Sequence, residues 1–202
     1  SDLNYCVQYR ETDFNFVNRL MEDEGIYYYF EHEDGRHVMV LADSIGSHAP
    51  FPGYDTISYL APNQASVEEE HIRDWSMEQE VKTGAFAHND YDFMSPQKRL
   101  LASQQMKRPH NMSDFEVYDY PGRYDQLRDG EKWAKVRLEE LQARHQMVQA
   151  QTDARGLAPG YTFTLTGHPR RDQCKEYLVF SVSHEYVSDE FEGGERPSGG
   201  GP

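Results

Sequence analysis

The residues of this chain that could do acid–base or metal chemistry are its histidines and carboxylates. There are nine His and 35 Asp plus Glu among 202 residues, so a histidine beside an acid is expected by chance. The densest such group is His32 with Glu31, Glu33 and Asp34. These residues fall on a hairpin pattern, where neighbouring side chains alternate between faces and do not converge on one ion. We therefore interpret His32 as part of a solvent-exposed turn.

Three further histidines have the patterns of packing or turn residues. His168 precedes a proline in a turn sequence, which favours a turn or packing role. His145 falls on the apolar stripe of a predicted helix and His184 on a strand pattern, positions where a hydrogen-bonded core or interface histidine is commoner than a ligand. The acidic run Glu68-Glu69-Glu70 indicates a solvated loop or strand entrance, because adjacent carboxylates do not point at one site.

No motif for catalysis or cofactor binding is present, since the chain lacks the GxSxG, HExxH, P-loop and GxGxxG patterns. Cys6 and Cys174 fit no metal-ligand spacing and are predicted to be free, buried or half-buried thiols. These motifs therefore point to no catalytic, cofactor-binding or metal-ligating residue. Two carboxylates brought together by folding could still hydrolyse glycans, so a cell-wall-degrading enzyme stays open as an alternative.

The amino-terminal part predicts a strand followed by a helix. Residues 5–9 alternate apolar and polar side chains, the pattern of a half-buried strand. Thr12 is a plausible helix N-cap, and Gly25 supplies the left-handed residue that ends the helix. The helix carries an apolar stripe that we expect to pack on a sheet, formed by the pairs Phe16/Leu20 and Val17/Met21.

A hairpin follows, with strands at 26–32 and 37–42 joined by Glu33-Asp34-Gly35-Arg36, because Asp-Gly is a strong short-loop signal. Further strands are predicted around 57–60, 72–81, 113–120, 161–165 and 178–186. Within 72–81, Trp75, Met77 and Val81 share one face; within 113–120, Phe115 and Val117 lie on one face and Tyr118 and Tyr120 on the other.

The clearest helix pattern begins near Asp129, which is able to cap it. Its apolar stripe has the spacing of an amphipathic helix laid on a barrel or sheet and consists of Ala134, Leu138, Leu141, His145 and Val148. We divide the chain into a strand-helix-hairpin unit at 1–62, a β-rich unit with the long helix at 63–188, and a Gly/Pro-rich flexible segment at 189–202.

Composition and charge restrict the possible partners. The net charge of −15 disfavours binding to nucleic-acid phosphates and anionic lipid headgroups, so we expect neither nucleic-acid binding nor stable membrane insertion. The aromatic fraction of 13% argues against disorder. The start Ser1-Asp2-Leu3-Asn4 lacks methionine and the features of a signal peptide, so we expect a fragment of a longer protein that does not use the general secretory route.

Five segments in order resemble the VgrG family, the trimeric spike proteins of bacterial type VI secretion, in the part similar to the phage tail hub. They are YCVQYRETDFNFVNRLMEDEGIYYYF at 5–30, HEDGRHVMVLADS at 32–44, NDYDFMSP at 89–96, YDYPGRY at 118–124 and GYTFTLTGHPRRDQCKEYLV at 160–179. The resemblance covers nearly the whole chain. None of these segments is a catalytic motif.

The resemblance implies an α+β, mainly β fold: a phage tail-hub-like antiparallel β-barrel with one long amphipathic helix, plus the smaller helix-and-hairpin unit. It implies a homotrimeric hub that joins the ring of the Hcp tube to the needle, with effector or spike-tip proteins attached through other parts of the protein. It implies no enzymatic activity and no cofactor here, assembly in the cytoplasm, and export by the type VI route. The hub of a contractile phage or phage-like tail is the alternative within the same lineage.

Overall fold

The computed structural model describes residues 5–61 and 69–186, which form two α-helices and three β-sheets. The helices are α1 (Asp13–Glu24) and α2 (Leu127–Gln142). The strands are β1 (Tyr27–Glu33), β2 (Arg36–Ala42), β3 (Thr56–Tyr59), β4 (His71–Gln79), β5 (Ala85–His88), β6 (Ala102–Gln105), β7 (Glu116–Asp119), β8 (Gln146–Thr152), β9 (Thr162–Thr166) and β10 (Glu176–Leu178).

Helix α1 begins and ends at the residues its sequence predicts. The Thr12 side chain accepts a hydrogen bond from the backbone N–H of Asn15 at 3.2 Å, and Gly25 adopts the left-handed conformation with φ 75°. Its packing differs from the prediction, because no residue of α1 is fully buried and its main contact is with helix α2. Two ion pairs help to join the helices: Lys132 with Glu24 at 2.5 Å and Arg137 with Asp23 at 2.8 Å.

The prediction of a strand at residues 5–9 is wrong, since this segment does not form a strand. Tyr5 is 85% exposed and Tyr9 is 70% exposed. An alternating pattern becomes a strand only when its backbone N–H and C=O groups find a neighbouring strand. No described strand pairs with these residues.

The hairpin is formed by β1 and β2 in antiparallel register. The connection is tighter than predicted, because Glu33 pairs with Arg36 and only Asp34 and Gly35 form the turn, with Gly35 at φ 70°. A two-residue Asp-Gly loop suits the right-handed twist of the strands.

The largest sheet has the strand order β10-β9-β3-β4-β8. Strand β3 is parallel to both of its neighbours and the other pairs are antiparallel. The sheet curls, so that the Trp75 ring of β4 meets the Tyr177 ring of β10 at 4.9 Å. The core inside the curl is formed by Ile57, Ile72, Ala154, Leu157, Phe163 and Leu165. The predicted antiparallel barrel is therefore corrected to a mixed, curled half-barrel, because β3 lies parallel between two strands that are distant in sequence.

A β-bulge in β4 changes the predicted alternation. The register with β8 shifts between Arg73 and Ser76, and Asp74 within this interval has φ 51°. Ile72 and Trp75, three positions apart, consequently both pack on the core. Val81, predicted on the same face, lies beyond the strand and is 62% exposed.

Helix α2 packs on the third sheet, whose strand order is β6-β5-β7. Two predictions for this helix are corrected. Asp129 lies inside the first turn, and the N-cap is Gln126, which makes no side-chain capping bond. The helix ends at Gln142, so His145 and Val148 lie outside it, and Val148 pairs with Met77 in the β4–β8 ladder. Residues 146–152 form strand β8 instead, because side chains of different polarity alternate along them and their backbone pairs with the edge of β4.

Strand β9 has the predicted alternation, with Phe163 and Leu165 buried. The last predicted strand is much shorter than expected, ending at Leu178, and Phe180 and Tyr186 are exposed. The segment predicted to be flexible at 189–202 and the predicted boundary at 62/63 lie outside the described residues. Within the described part of the chain, neither helix is long and apolar enough to cross a membrane.

Candidate functional site

The four histidines singled out from the sequence lie in separate environments. His32 is exposed next to the hairpin turn. The His168 ring packs against the Tyr59 ring with centroids 4.7 Å apart. His145 Nδ1 lies 2.7 Å from a backbone carbonyl oxygen just after β4, which ties the α2–β8 connection to that strand. His184 is exposed beside the Tyr186 ring.

Both cysteines are free and exposed, which corrects the prediction of buried or half-buried thiols. Cys6 lies in the unpaired amino-terminal segment, and Cys174 follows a short 3₁₀ helix at Arg171–Gln173. Within residues 5–61 and 69–186, no group of three or more His, Cys, Asp or Glu side chains is arranged to hold a metal ion.

Among the residues that the structure describes, five carboxyl groups have a pKa below their ordinary value, and in each a hydrogen bond from a lysine or arginine is the largest cause: Glu11, Glu24, Glu80, Asp114 and Asp172. Such partners favour the charged form. A general acid for glycan hydrolysis needs the opposite shift, a raised carboxyl pKa. These five carboxylates are therefore set up as ion-pair partners and not as proton donors.

A buried polar cluster that the sequence did not single out joins α2 to β5. His88 Nε2 lies 2.7 Å from the carbonyl oxygen of Gly130, and the Tyr124 ring packs against His88 at 4.7 Å. The Tyr124 hydroxyl reaches the carbonyl oxygens of His88 at 3.0 Å and Leu100 at 2.5 Å. Burial raises the pKa of Tyr124 to about 12. The cluster is structural, since these polar atoms are hydrogen-bonded to backbone.

One sequence signal for this cluster was the glycine inside the α2 pattern. A Cβ atom at Gly130 would lie 2.4 Å from the Tyr124 ring, so only glycine lets this ring approach the helix. The cost of glycine in a helix, about 1 kcal/mol relative to alanine, is offset here by close packing.

A groove of about 1030 Å³ lies between the amino-terminal segment, α1, α2 and the loop at 119–125. Its charged side chains include partners of both signs. Arg19 pairs with Glu11 at 2.6 Å, and Arg137 pairs with Asp23. Six Asp or Glu side chains and three Arg side chains line the groove, so its lining has an excess of negative charge although Arg19 and Arg137 are already paired.

The hairpin has one packed and one exposed face, because partners in the register alternate. On the packed face the Tyr27 hydroxyl lies 2.8 Å from His48 Nε2, and His48 Nδ1 lies 2.7 Å from the Gly160 carbonyl oxygen. These contacts fasten the hairpin to the half-barrel. The opposite face, which we call the hairpin outer face, consists of Tyr28, Phe30, His32, His37, Met39 and Leu41. Leu41 is 55% exposed and Met39 is 53% exposed.

A second exposed apolar surface surrounds β7, which lies at one edge of the three-stranded sheet. We call it the β7 edge surface; it consists of Phe115, Val117, Tyr118 and Tyr120, all exposed. The prediction of two apolar faces on this strand agrees with the residues, but neither face is buried. Exposed apolar patches of this kind are typical of protein–protein contacts.

The sequence profile of the phage tail baseplate hub (GPD) family matches residues 2–190. The type VI secretion system spike proteins VgrG1b and VgrG1a of Pseudomonas aeruginosa are 47% and 45% identical to this chain over 94% and 96% of its length, which is 26% and 30% of theirs. The actin cross-linking toxin VgrG1 of Vibrio cholerae is 28% identical over 90% of this chain and 16% of that toxin. The motif-based resemblance to VgrG proteins is confirmed.

The chain spans less than a third of the length of the Pseudomonas spike proteins it matches. A solved structure with a similar fold is the E. coli c3393 protein, described as a component of the type VI secretion system with structural similarity to the T4 bacteriophage tail proteins gp27 and gp5. It matches with a TM-score of 0.50 at 15% identity, over 85% of this chain and 32% of that one. This likeness supports the half-barrel arrangement of the fold.

Proposed function

This chain belongs to the phage tail baseplate hub (GPD) family, and from that we propose that three copies of it form the hub of a type VI secretion spike. The observation that carries the proposal is the similarity to VgrG spike proteins over nearly the whole of this chain. In this proposal the chain has a mechanical role: it holds the spike at the end of the tube and performs no chemical reaction.

The two exposed apolar surfaces support subunit contacts. The hairpin outer face and the β7 edge surface both present aromatic side chains to solvent, and aromatic residues are enriched in the buried centres of interfaces. In addition, among the strands of residues 5–61 and 69–186, β7 is hydrogen-bonded to one on a single side, so its other side can accept a strand from a neighbouring chain.

Charge sets a condition on such an assembly. Three chains of −15 carry 3 × −15 = −45, so carboxylates must lie at the rim of each subunit contact or be paired within it. Assembly is therefore expected to become stronger with added salt, which screens the repulsion between subunits.

The partners follow from the same role. The trimer would sit on the Hcp ring at the end of the tube, and effectors or spike-tip proteins would be carried through parts of the protein outside this chain. The hub would assemble in the cytoplasm and be expelled by the type VI route when the sheath contracts. The hub of a contractile phage tail is the second candidate, because the matching family is named for the phage baseplate.

The test is the molar mass, measured by light scattering, of the full-length protein that contains this chain. We expect three times the mass of one subunit, and co-sedimentation with Hcp rings but not with a phage tail tube. Val117→Asp and Tyr118→Asp on the β7 edge surface should lower the mass toward one subunit, whereas Tyr5→Ser, on the unpaired amino-terminal segment, serves as the exposed-aromatic control. A monomer at every salt concentration in the unmodified protein would contradict the hub proposal.

A further inference from the structure

The hairpin register brings two histidines together that are five residues apart in sequence. His32 and His37 are direct cross-strand partners, and their ring centroids lie 4.8 Å apart. The neighbouring pair Glu33 and Arg36 closes the two-residue turn, so the histidines occupy the next position of the ladder, where opposing side chains stand closest. Both side chains are on the exposed hairpin outer face.

The two rings point their Nδ1 atoms at each other, 2.7 Å apart. One ring must carry its proton on Nδ1 to donate, while the other carries its proton on Nε2 and accepts. Two imidazole nitrogens that meet at a point open to solvent are the donor pair that divalent transition metal ions prefer in proteins.

We propose that His32 and His37 form a two-histidine binding site for a divalent first-row transition metal ion, at the turn end of the hairpin outer face. With metal–nitrogen bonds of about 2.05 Å, two ligands at a right angle are about 2.9 Å apart and two at the tetrahedral angle about 3.3 Å apart. The observed 2.7 Å is closer to the right-angled arrangement. Square-planar or tetragonal sites suit Cu²⁺ and Ni²⁺, so these ions bind more tightly than Zn²⁺.

Binding leaves the number of protons unchanged when both rings are neutral. The ring that carried its proton on Nδ1 transfers it through solvent to its own Nε2, and each Nδ1 then gives a lone pair to the metal. Water fills the remaining coordination positions, because no third His, Cys, Asp or Glu joins this pair in the described part of the chain.

The bound ion would link β1 to β2 next to the turn and hold the hairpin closed. The carboxylates of Glu31, Glu33 and Asp34 give this end of the hairpin a negative charge, against the single positive charge of Arg36, which favours a cation. A ligand that binds only the paired strands stabilises them increasingly as its concentration rises above its dissociation constant.

The test is isothermal titration calorimetry of Cu²⁺, Ni²⁺ and Zn²⁺ into the chain without an added histidine tag. We expect one ion per chain, bound in the order Cu²⁺ above Ni²⁺ and Zn²⁺. His32→Gln or His37→Gln should each weaken Cu²⁺ binding by about tenfold or more. Replacing a residue that only supports a metal ligand already lowers metal affinity by about that factor, and here a ligand itself is removed. The double variant should bind Cu²⁺ more weakly than either single variant, because each single variant keeps one imidazole ligand.

His184→Gln is the control, since this histidine is also exposed but lies outside the hairpin. Its Cu²⁺ affinity should equal that of the unmodified chain. Circular dichroism of each variant checks that the fold is retained, as expected for exposed side chains. Equal affinity in the unmodified chain and both hairpin variants, or an equal loss in His184→Gln, would overturn the proposal.

Discussion

Tyr124 illustrates how one buried side chain connects separate elements of this protein. It is 7% exposed, and its hydroxyl bonds to backbone carbonyls at the end of β5 and just before β6. Its ring lies against α2, where Gly130 leaves room for it. A charged phenolate at this position would lose hydration and face two carbonyl oxygens, which is why burial raises the pKa to about 12.

Replacing this residue should change both stability and its pH dependence. Tyr124→Phe removes the hydroxyl that donates to buried carbonyl oxygens and should lower the unfolding free energy by about 1 kcal/mol at neutral pH. In the folded chain the tyrosine pKa is above its unfolded value of 10, so its contribution is fully present below pH 10 and is lost as pH rises from about 10 toward about 12. Urea unfolding at several pH values measures this.

The difference between the unmodified chain and Tyr124→Phe should therefore shrink as pH rises through this window. Tyr118→Phe is the matched control, because Tyr118 is 57% exposed and should change stability little at any pH. A difference that grows above pH 10 would contradict the proposed effect of burial.

At the scale of elements, α2 is held to its sheet by a stripe with i,i+4 spacing: Gly130, Ala134, Leu138 and Gln142. The Gln142 amide nitrogen donates to the carbonyl oxygens of Thr83 and Met106 at 2.9 and 2.6 Å. The last turn is thus fixed by polar contacts to the connections around the three-stranded sheet, and the chain then leaves the helix to form β8.

Two leucines that the sequence placed on one stripe should differ strongly in their importance. Leu138 is 1% exposed and packs with Phe86, whereas Leu141 is 36% exposed. Leu138→Ala should lower the unfolding free energy by about 3 kcal/mol, since it leaves a cavity. Leu141→Ala should cost less than about 1 kcal/mol because its side chain is partly in water. Denaturant melts of both variants give the comparison, and equal costs would indicate that the helix is rotated from this orientation.

At the scale of the whole molecule, the dominant property is the net charge of −15. The ion pairs between α1 and α2 are partly exposed, and exposed pairs contribute about 0–1 kcal/mol each. Repulsion among the excess carboxylates acts over the whole surface and opposes the compact state. Added salt weakens both the attraction within the ion pairs and the repulsion among the carboxylates, with opposite consequences for stability.

We expect the repulsion to outweigh the ion pairs, so added salt should stabilise the fold. Raising NaCl from about 0.01 M to about 0.15 M shortens the Debye length from about 30 Å to about 8 Å. The urea concentration at the midpoint of unfolding should then increase. The increase should be smaller in a variant with Glu31→Gln and Glu33→Gln, because these changes reduce the excess of negative charge. A midpoint that falls with salt would mean that the ion pairs outweigh the repulsion.

Local signals in the sequence were sufficient for several elements and for the family. The caps of α1, the Asp-Gly turn and the alternation of β9 involve residues within a few positions of one another, so sequence spacing contains the whole interaction. The ordered VgrG-like segments likewise identified the family. The division into units at 1–62 and 63–188 stays a prediction, although β3 pairs with β4 and β9 across that division.

Only the tertiary structure decided which segments found partners. Residues 5–9 have a strand pattern but no pairing strand among the described residues. The apolar stripe of the predicted helix extended to Val148, yet residues 146–152 form strand β8 because they pair with the edge of β4. The bulge at Asp74, the burial of Tyr124 and the parallel position of β3 all depend on segments distant in sequence. His37 stands opposite His32 because of register, which depends on the length of the turn between them. The sequence determined what short-range contacts specify; long-range hydrogen bonding and packing determined the rest.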